Sequence, residues 1–290
     1  SYLLQLSKYC QQRTLFNRNF SSEYSFMSKK LVFGLFLFIA ACNNQTEKKP
    51  ATENATLSEE QKLKNAVQQF PDSMLLKETL VQYYREHGNY DQALHEVNQA
   101  IHTDSLNPRF WDMKAILHFE DGDTLQAIRS FESAIRIFPN PAYMISLGTL
   151  YAQTKDKKAL AISDTLLRYH KQDAEKEALF IKGLYYTYNN EKLKSIGYFD
   201  QCLSISFTFM DAYREKAIAL YDMGKYPEAL NVLDKAITLQ NRFEEGYYYR
   251  GMCLEKLKQV PEAVESYQMA LQYDPEYTEA RDALARLGFK

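Results

Sequence analysis

The side chains best able to do chemistry in this chain of 290 residues are four cysteines, five histidines and a few paired carboxylates. His87, His95, His102, His118 and His170 are scattered, and no CxxC, HExxH, GxSxG or GxxxxGK[ST] pattern occurs. Asp121-Gly122-Asp123 has the look of a calcium fragment, but the later bidentate carboxylate of such a loop is missing. Between two helical stretches the same three residues are good turn formers. Glu59-Glu60 and Glu244-Glu245 stand where helices begin, and negative charge there favours the helix dipole. These residues predict no catalysis, no cofactor and no metal site. An enzyme with an unrecognised site is the remaining alternative, and the lack of any clustered His, Cys or Ser constellation weighs against it.

Cys42 is different, because of what precedes it. Met27-Ser28-Lys29-Lys30 is followed by eleven apolar residues, Leu31 to Ala41, and then by a polar run. This reads as a signal peptide over 27–41, since the apolar stretch is far short of the roughly 20 residues that cross a bilayer as a helix. Ile39-Ala40-Ala41-Cys42 resembles the bacterial lipobox, which implies cleavage before Cys42 and a diacylglyceryl group on its sulfur. Two alternatives stay open: an ordinary signal peptide that contains a cysteine, and a mitochondrial transit peptide, which Arg13, Arg18 and several serines would suit. Residues 1–26 read as an upstream extension, and 42–57 as a flexible tether with a coil reach of roughly 20 Å.

The remainder must fold. The chain is 46% hydrophobic and 25% charged with 10 Gly and 8 Pro, which excludes collagen-like and wholly disordered classes. Tyr (22) and Phe (17) far outnumber the single Trp, and β-branched residues do not gather into alternating runs, so helices packed by aromatic side chains are expected. Residues 1–41 hold five basic and one acidic residue, so the rest has 35 − 5 = 30 basic against 37 − 1 = 36 acidic, a net −6. Such a body does not suit nucleic acid as principal ligand.

One period, 34 residues, organises that body. Ala93, Ala127, Ala161, Ser195, Ala229 and Ala263 are small; four residues on, Val97, Phe131, Thr165, Phe199, Leu233 and Tyr267 are mostly bulky. A third column, Ala66, Ala100, Ala134, Arg168, Cys202, Ala236 and Ala270, is small except at Arg168. Small, large, small at spacings of four and three is one face of a helix approached closely by another around a single plug. An upstream helix in each repeat has its own small column through Ala115, Gly183, Ala217 and Gly251. Gly88, Gly122, Asn190 and Gly224 supply turns between the two, and Pro71, Pro139 and Pro275 stop the second. Cys202 and Cys253 fall in packing positions two repeats apart, so no bridge is expected.

The pattern resembles the tetratricopeptide repeat, most closely at Trp111, Ala127, Phe131, Ala134 and Pro139, and at Tyr247, Gly251, Ala263, Tyr267, Ala270 and Pro275. The resemblance implies an all-α, right-handed superhelical solenoid of about six helix pairs: 74–107, 108–141, 142–175, 176–209, 210–243 and 244–277. A capping helix over 58–73, begun by Ser58 and Gln61, and a closing helix within 278–290 would flank it. In the third repeat Leu147, Gly148 and Tyr151 stand one residue early. An extra residue in the turn at 155–158 would restore Ala161 but not explain Arg168, so a rotated helix is expected there.

By the geometry of similar repeats, the inner wall of the solenoid should expose Gln82, Asp112, Ile116, Phe119, Phe180, Leu184, Tyr188, Arg214, Ile218, Tyr221, Tyr248 and Met252. Aromatic anchors in a concave surface suit a protein or peptide segment; ordinary packing between helices is the other reading of the same residues. The basic clamp by which related cochaperones hold a chaperone's carboxyl terminus has no counterpart at Glu78, Gln82, Asp112, Met113 and Ile116. The expected protein is a non-catalytic, membrane-anchored scaffold or adaptor of bacterial envelope complexes, facing the periplasm and open to self-association. The alternative is a soluble or organelle-targeted chaperone-type receptor without an anchor.

Overall fold

The computed structural model describes residues 57–289. Cys42, the signal peptide at 27–41, residues 1–26 and all but the last residue of the expected tether lie outside the described residues. Among the described residues there are fourteen helices and no strand: α1 Glu59–Gln69, α2 Met74–Glu86, α3 Tyr90–Thr103, α4 Pro108–Glu120, α5 Thr124–Ile137, α6 Pro141–Gln153, α7 Lys158–Tyr169, α8 Lys171–Tyr188, α9 Lys192–Ile205, α10 Met210–Asp222, α11 Tyr226–Leu239, α12 Glu244–Lys256, α13 Val260–Tyr273 and α14 Thr278–Arg286. None of these helices is long and apolar enough to cross a membrane.

The chain divides at Tyr83 into two units. In the first, Ser58 Oγ accepts from Gln61 N at 3.2 Å and starts α1, but the Gln61 side chain turns forward to Asn65 Oδ1 instead of back to Ser58. Only half of the expected capping box forms, and α1 buries no residue.

In the second unit, 84–289, each helix from α3 onward packs on its neighbours in the chain through connections of one to four residues. Short connections make successive helices antiparallel. The plugs read from the 34-residue columns are where expected: Val97, Phe131, Phe199, Leu233 and Tyr267 are all completely buried. Their counterparts on the upstream helices approach so closely that a Cβ on Gly183 would stand 2.4 Å from the Phe199 ring, and one on Gly251 would stand 2.6 Å from Tyr267. The turns are left-handed at Gly88, Gly122, Asn190 and Gly224, with φ of 67°, 89°, 63° and 74°. Lys155 and Lys258 take the same conformation, at φ 61° and 64°, without glycine's freedom.

The third repeat departs from the expected register. Its second helix buries Ala159, Ser163 and Leu166, again at spacings of four and three, while Ala161 and Arg168 face solvent. The column thus steps by 159 − 127 = 32 residues and then by 195 − 159 = 36, instead of 34 twice. No extra residue restores Ala161. The helix begins at Lys158, in step with Thr124 and Lys192, but the left-handed residue before it, Lys155, falls one position early and Asp156 accepts from Lys158 N at 2.9 Å; the helix then buries a different face, and Arg168 needs no small neighbour because it is outside the core. Ser163, buried in a position that elsewhere holds a bulky plug, donates to the Ala178 carbonyl at 2.7 Å. Beyond it α8 opens with a kink at Ala174 (φ −141°).

The last helix closes the stack. α14 buries Ala280, Ala283 and Leu284, and Arg286 grips Glu255 of α12 with two hydrogen bonds of 2.7 Å. Cys202 and Cys253 are buried free thiols, each pushed up to about 12 by burial, which removes them as nucleophiles.

Candidate protein-binding wall

The twelve residues expected on an exposed wall do not share one environment. Ile116, Phe119, Phe180, Leu184 and Tyr248 are buried side chains of the core, which corrects the expectation that they are exposed. Phe180 packs its ring on Phe199 at 5.6 Å and on Phe209 at 5.1 Å, so it belongs between helices. Tyr188, at the end of α8, stays half-buried. Gln82 is half-buried on α2 in the first unit. Asp112 on α4 is half-buried with a carboxyl pushed up to about 6 by burial, against a smaller opposing pull from Arg109.

The first helices of the fifth and sixth repeats do bring several candidates together. Ile218 and Tyr221 of α10 and Met252 of α12 are partly exposed and pack against one apolar cluster that includes Tyr248, Tyr249, Leu220, Leu254 and Tyr267. Tyr248 is the hinge of this cluster: its ring meets Tyr249 and Tyr277 edge-on at 5.2 Å and lies tilted on Tyr267 at 5.8 Å. Tyr221 meets Tyr226 edge-on at 5.2 Å. Burial pushes the Tyr221 and Tyr248 phenols up to about 12, so both stay neutral donors at physiological pH. A wall of this kind offers flat apolar area with hydroxyl tips at low entropic cost.

Arg214, one turn before Ile218, has 0% exposure, so it is no part of an open wall as expected from sequence. Instead it gathers three carboxylates. Asp211 Oδ1 lies 2.9 Å from its Nη1 but off the N–H line, an ion pair without a hydrogen bond. Arg214 Nε and Nη2 donate to Glu215 Oε1 at 3.4 Å each, and Nη1 donates to Glu245 Oε1 at 3.3 Å. Burial opposes the guanidinium charge, but the three carboxylates outweigh it and hold Arg214 firmly protonated. Burial raises the Glu215 carboxyl, and Arg214 offsets only part of that. This charged layer links α10 to α12, one turn before Ile218 on α10.

Sequence reading missed that layer. Glu245 was assigned to the helix dipole, yet it is buried and reaches across to Arg214. A signal existed: Glu177, Asp211 and Glu245 recur at steps of 34, an acidic column on successive first helices. The Asp121-Gly122-Asp123 segment is a turn, with Gly122 left-handed and Asp123 accepting from Gln126 N at 3.0 Å to cap α5. Among the described residues no group of three or more His, Cys, Asp or Glu side chains is arranged to hold a metal ion.

Comparison with known proteins fits this architecture. Residues 79–142 and 244–277 each match a tetratricopeptide repeat family model. A tetratricopeptide repeat protein from Parabacteroides merdae ATCC 43184 superposes with a TM-score of 0.66 at 20% identity, covering 78% of this chain and 90% of that one. PilW, described as a widely conserved type IV pilus biogenesis factor, gives a TM-score of 0.58 at 18% identity, over 72% of this chain and 97% of its own. At such identities the likeness is one of fold: this is a tetratricopeptide-repeat solenoid. The Hsp70-Hsp90 organizing protein of Triticum aestivum is 23% identical over 239 residues, 76% of this chain and 40% of that protein. The chain therefore spans about two fifths of the length of that relative.

Proposed function

We propose that this protein is a non-catalytic scaffold that holds a segment of a partner protein on the α10–α12 wall, while an acylated Cys42 anchors it to a bacterial envelope membrane, facing the periplasm. The observation that carries the binding half is the set Ile218, Tyr221 and Met252, kept partly exposed on two successive first helices over a single packed cluster. Elsewhere in the second unit the counterparts of Ile218 at steps of 34, Ile116, Leu150 and Leu184, are spent on the core. Replacing Ile218, Tyr221 and Met252 together by Ala should abolish partner recovery while the thermal transition stays cooperative. Unchanged recovery would move binding to another face. The anchoring half rests on the run Leu31–Ala41 followed by Cys42. It is tested by the intact mass of the amino-terminal peptide from native membranes, where a diacylated Cys42 is expected and an unmodified peptide beginning elsewhere contradicts it.

A second reading, a chaperone-type receptor without an anchor, draws on the likeness to the Hsp70-Hsp90 organizing protein of Triticum aestivum. The charge layer separates the two. Three carboxylates to one guanidinium on the helices that carry the wall disfavour an acidic carboxy-terminal tail as ligand. Titration with a synthetic acidic peptide should give no saturable heat under the scaffold reading, and saturable binding lost on Tyr221→Ala under the receptor reading.

A further inference from the structure

Antiparallel stacking in the second unit places alternate connections on opposite edges, the turns inside each repeat on one and the links from each second helix to the next repeat on the other. Five successive links each carry a bare apolar side chain. In chain order these read Leu106, Phe138, Tyr169, Phe207 and Leu239, with Ile205 beside Phe207. Each ends a second helix or stands within three residues of its end, so they form one row. The row is a palindrome of leucine, phenylalanine, tyrosine, phenylalanine and leucine, centred on the third link.

A two-fold axis through Tyr169, perpendicular to the row, lays a second copy antiparallel on the first. It sets Tyr169 on Tyr169, Phe138 on Phe207 and Leu106 on Leu239, the self-complementarity that an isologous contact requires. The six side chains are 39% to 75% exposed, which at about 200 Å² for each makes about 700 Å² of surface per copy. A stable interface takes roughly 800 Å² from each partner, and the largest apolar patch on an ordinary monomer is about 300–600 Å². The charges accommodate the same axis. Arg168, whose guanidinium lies 6.0 Å from the Tyr169 ring, ends α7 and so faces the start of α8 in the other copy, where Asp173 is exposed. Lys171 pairs with Glu175 of its own chain at 3.3 Å. Arg136 faces the fourth link, 206–209, which holds no charge. At the outer ends the first link, with Asp104 and Arg109, faces the fifth, with Arg242 and Glu244, two acids with two bases.

The turn edge fails the same comparison. At the starts of its second helices the exposed apolar residues are Leu125, Leu193 and Val260, half as many, and lysines break the row on both sides of Leu193: Lys155, Lys157 and Lys158 before it, Lys225 after it. Closing that edge on a second copy takes those ammonium groups out of water. Arginine, the main base of the linking edge, is enriched in protein interfaces, whereas lysine is depleted.

We infer that two copies of this chain pair antiparallel through the linking edge, around Tyr169. The pairing goes beyond the binding wall and leaves it open, since Ile218 and Met252 lie in the middle of their helices and Tyr221 lies toward the turn edge. A dimer then offers two α10–α12 walls, and a partner with two segments gains from holding both.

The test uses the full chain with Cys10→Ser and Cys42→Ser, which keeps the buried thiols of Cys202 and Cys253. In sedimentation velocity this protein should pass from monomer to dimer as its concentration rises. Tyr169→Asp should raise the dimer Kd at least about tenfold with an unchanged circular dichroism spectrum. Orientation is read by mild oxidation of mixed, differently tagged proteins that each carry one added cysteine. Tyr169→Cys should link to itself, and Leu106→Cys should link to Leu239→Cys at least about tenfold faster than to a second Leu106→Cys, because a disulfide forms only within a short reach. Leu193→Cys, on the turn edge, should not link. A monomer at every concentration overturns the inference, and so does a dimer that withstands Tyr169→Asp. Equal linking of Leu106→Cys to itself and to Leu239→Cys, or linking through Leu193→Cys, as association by the Leu31–Ala41 segment would give, overturns it as well. Loss of partner recovery from the wall variants leaves these readouts unchanged, so the two claims fail separately.

Discussion

The middle of the second unit, α6 to α9, and its end, α10 to α14, are built on the same repeat and use it differently. In the middle, Met144, Leu147, Leu150, Tyr151, Phe180 and Leu184 all go into packing, and the buried face of the third repeat's second helix is shifted by two residues. At the end, the register is regular, Ile218, Tyr221 and Met252 stay partly exposed over an apolar cluster, and one turn before Ile218 the core holds a charged layer around Arg214. An apolar core closes on itself.

The largest effect that would break this contrast is at Arg214. Arg214→Met leaves three buried carboxylates without their cation and should destabilise the protein by about 3–5 kcal/mol at pH 8 in denaturant titrations. The loss should shrink toward pH 5. Because burial raises Glu215 in the folded state, its protonation favours folding below the ordinary carboxylate range, and that contribution is lost as pH rises through the raised value. A variant as stable as the parent at pH 8 would mean that the layer is solvated and does not support the wall.

The register of the middle is tested next. Leu166→Ala should cost about 2–5 kcal/mol as a cavity, whereas Arg168→Ala should stay within about 0.5 kcal/mol. Had the 34-residue column continued, Arg168 would be the buried position and the two effects would exchange. At α4, a carboxyl buried without a layer of partners gives a third point of comparison. Asp112→Asn should raise stability at pH 7.5 by up to about 3 kcal/mol, the free energy of a rise from 3.8 to about 6, and the gain should vanish below pH 4. The smallest effects belong to one turn in each region. Lys155→Gly and Lys258→Gly relieve left-handed strain and should each add about 0.5–1 kcal/mol, read as a small upward shift in Tm.

Much of this was legible in the sequence wherever a side chain's size decides its place. Phe199 and Tyr267 are plugs because Gly183 and Gly251 make room for them, and both members of each pair recur at the same step. The left-handed turns were legible at glycine and asparagine, but not at Lys155 and Lys258, where the flanking helices impose a conformation the residue does not prefer. The two-residue slip at Ala159 was hidden because Ala161 and Thr165 mimic the expected column closely enough, and only Arg168 betrayed it. The wall was misjudged where exposure depends on what lies across from a residue. Position along the helix does not separate Leu184 from Ile218, yet one is covered and the other is not. The charged layer was hidden for the same reason, since Arg214 and Glu245 are distant in sequence and meet only when α10 packs on α12.

Central to the account is that a partner occupies the α10–α12 wall. A photo-crosslinking amino acid placed at Tyr221, and in a second protein at the exposed Glu265 of α13, compares that wall with a control surface in native membranes. The account predicts one discrete adduct from position 221, lost when Ile218 and Met252 are replaced by Ala, and none from position 265. Adducts of equal yield from both positions, or from 265 alone, would contradict it.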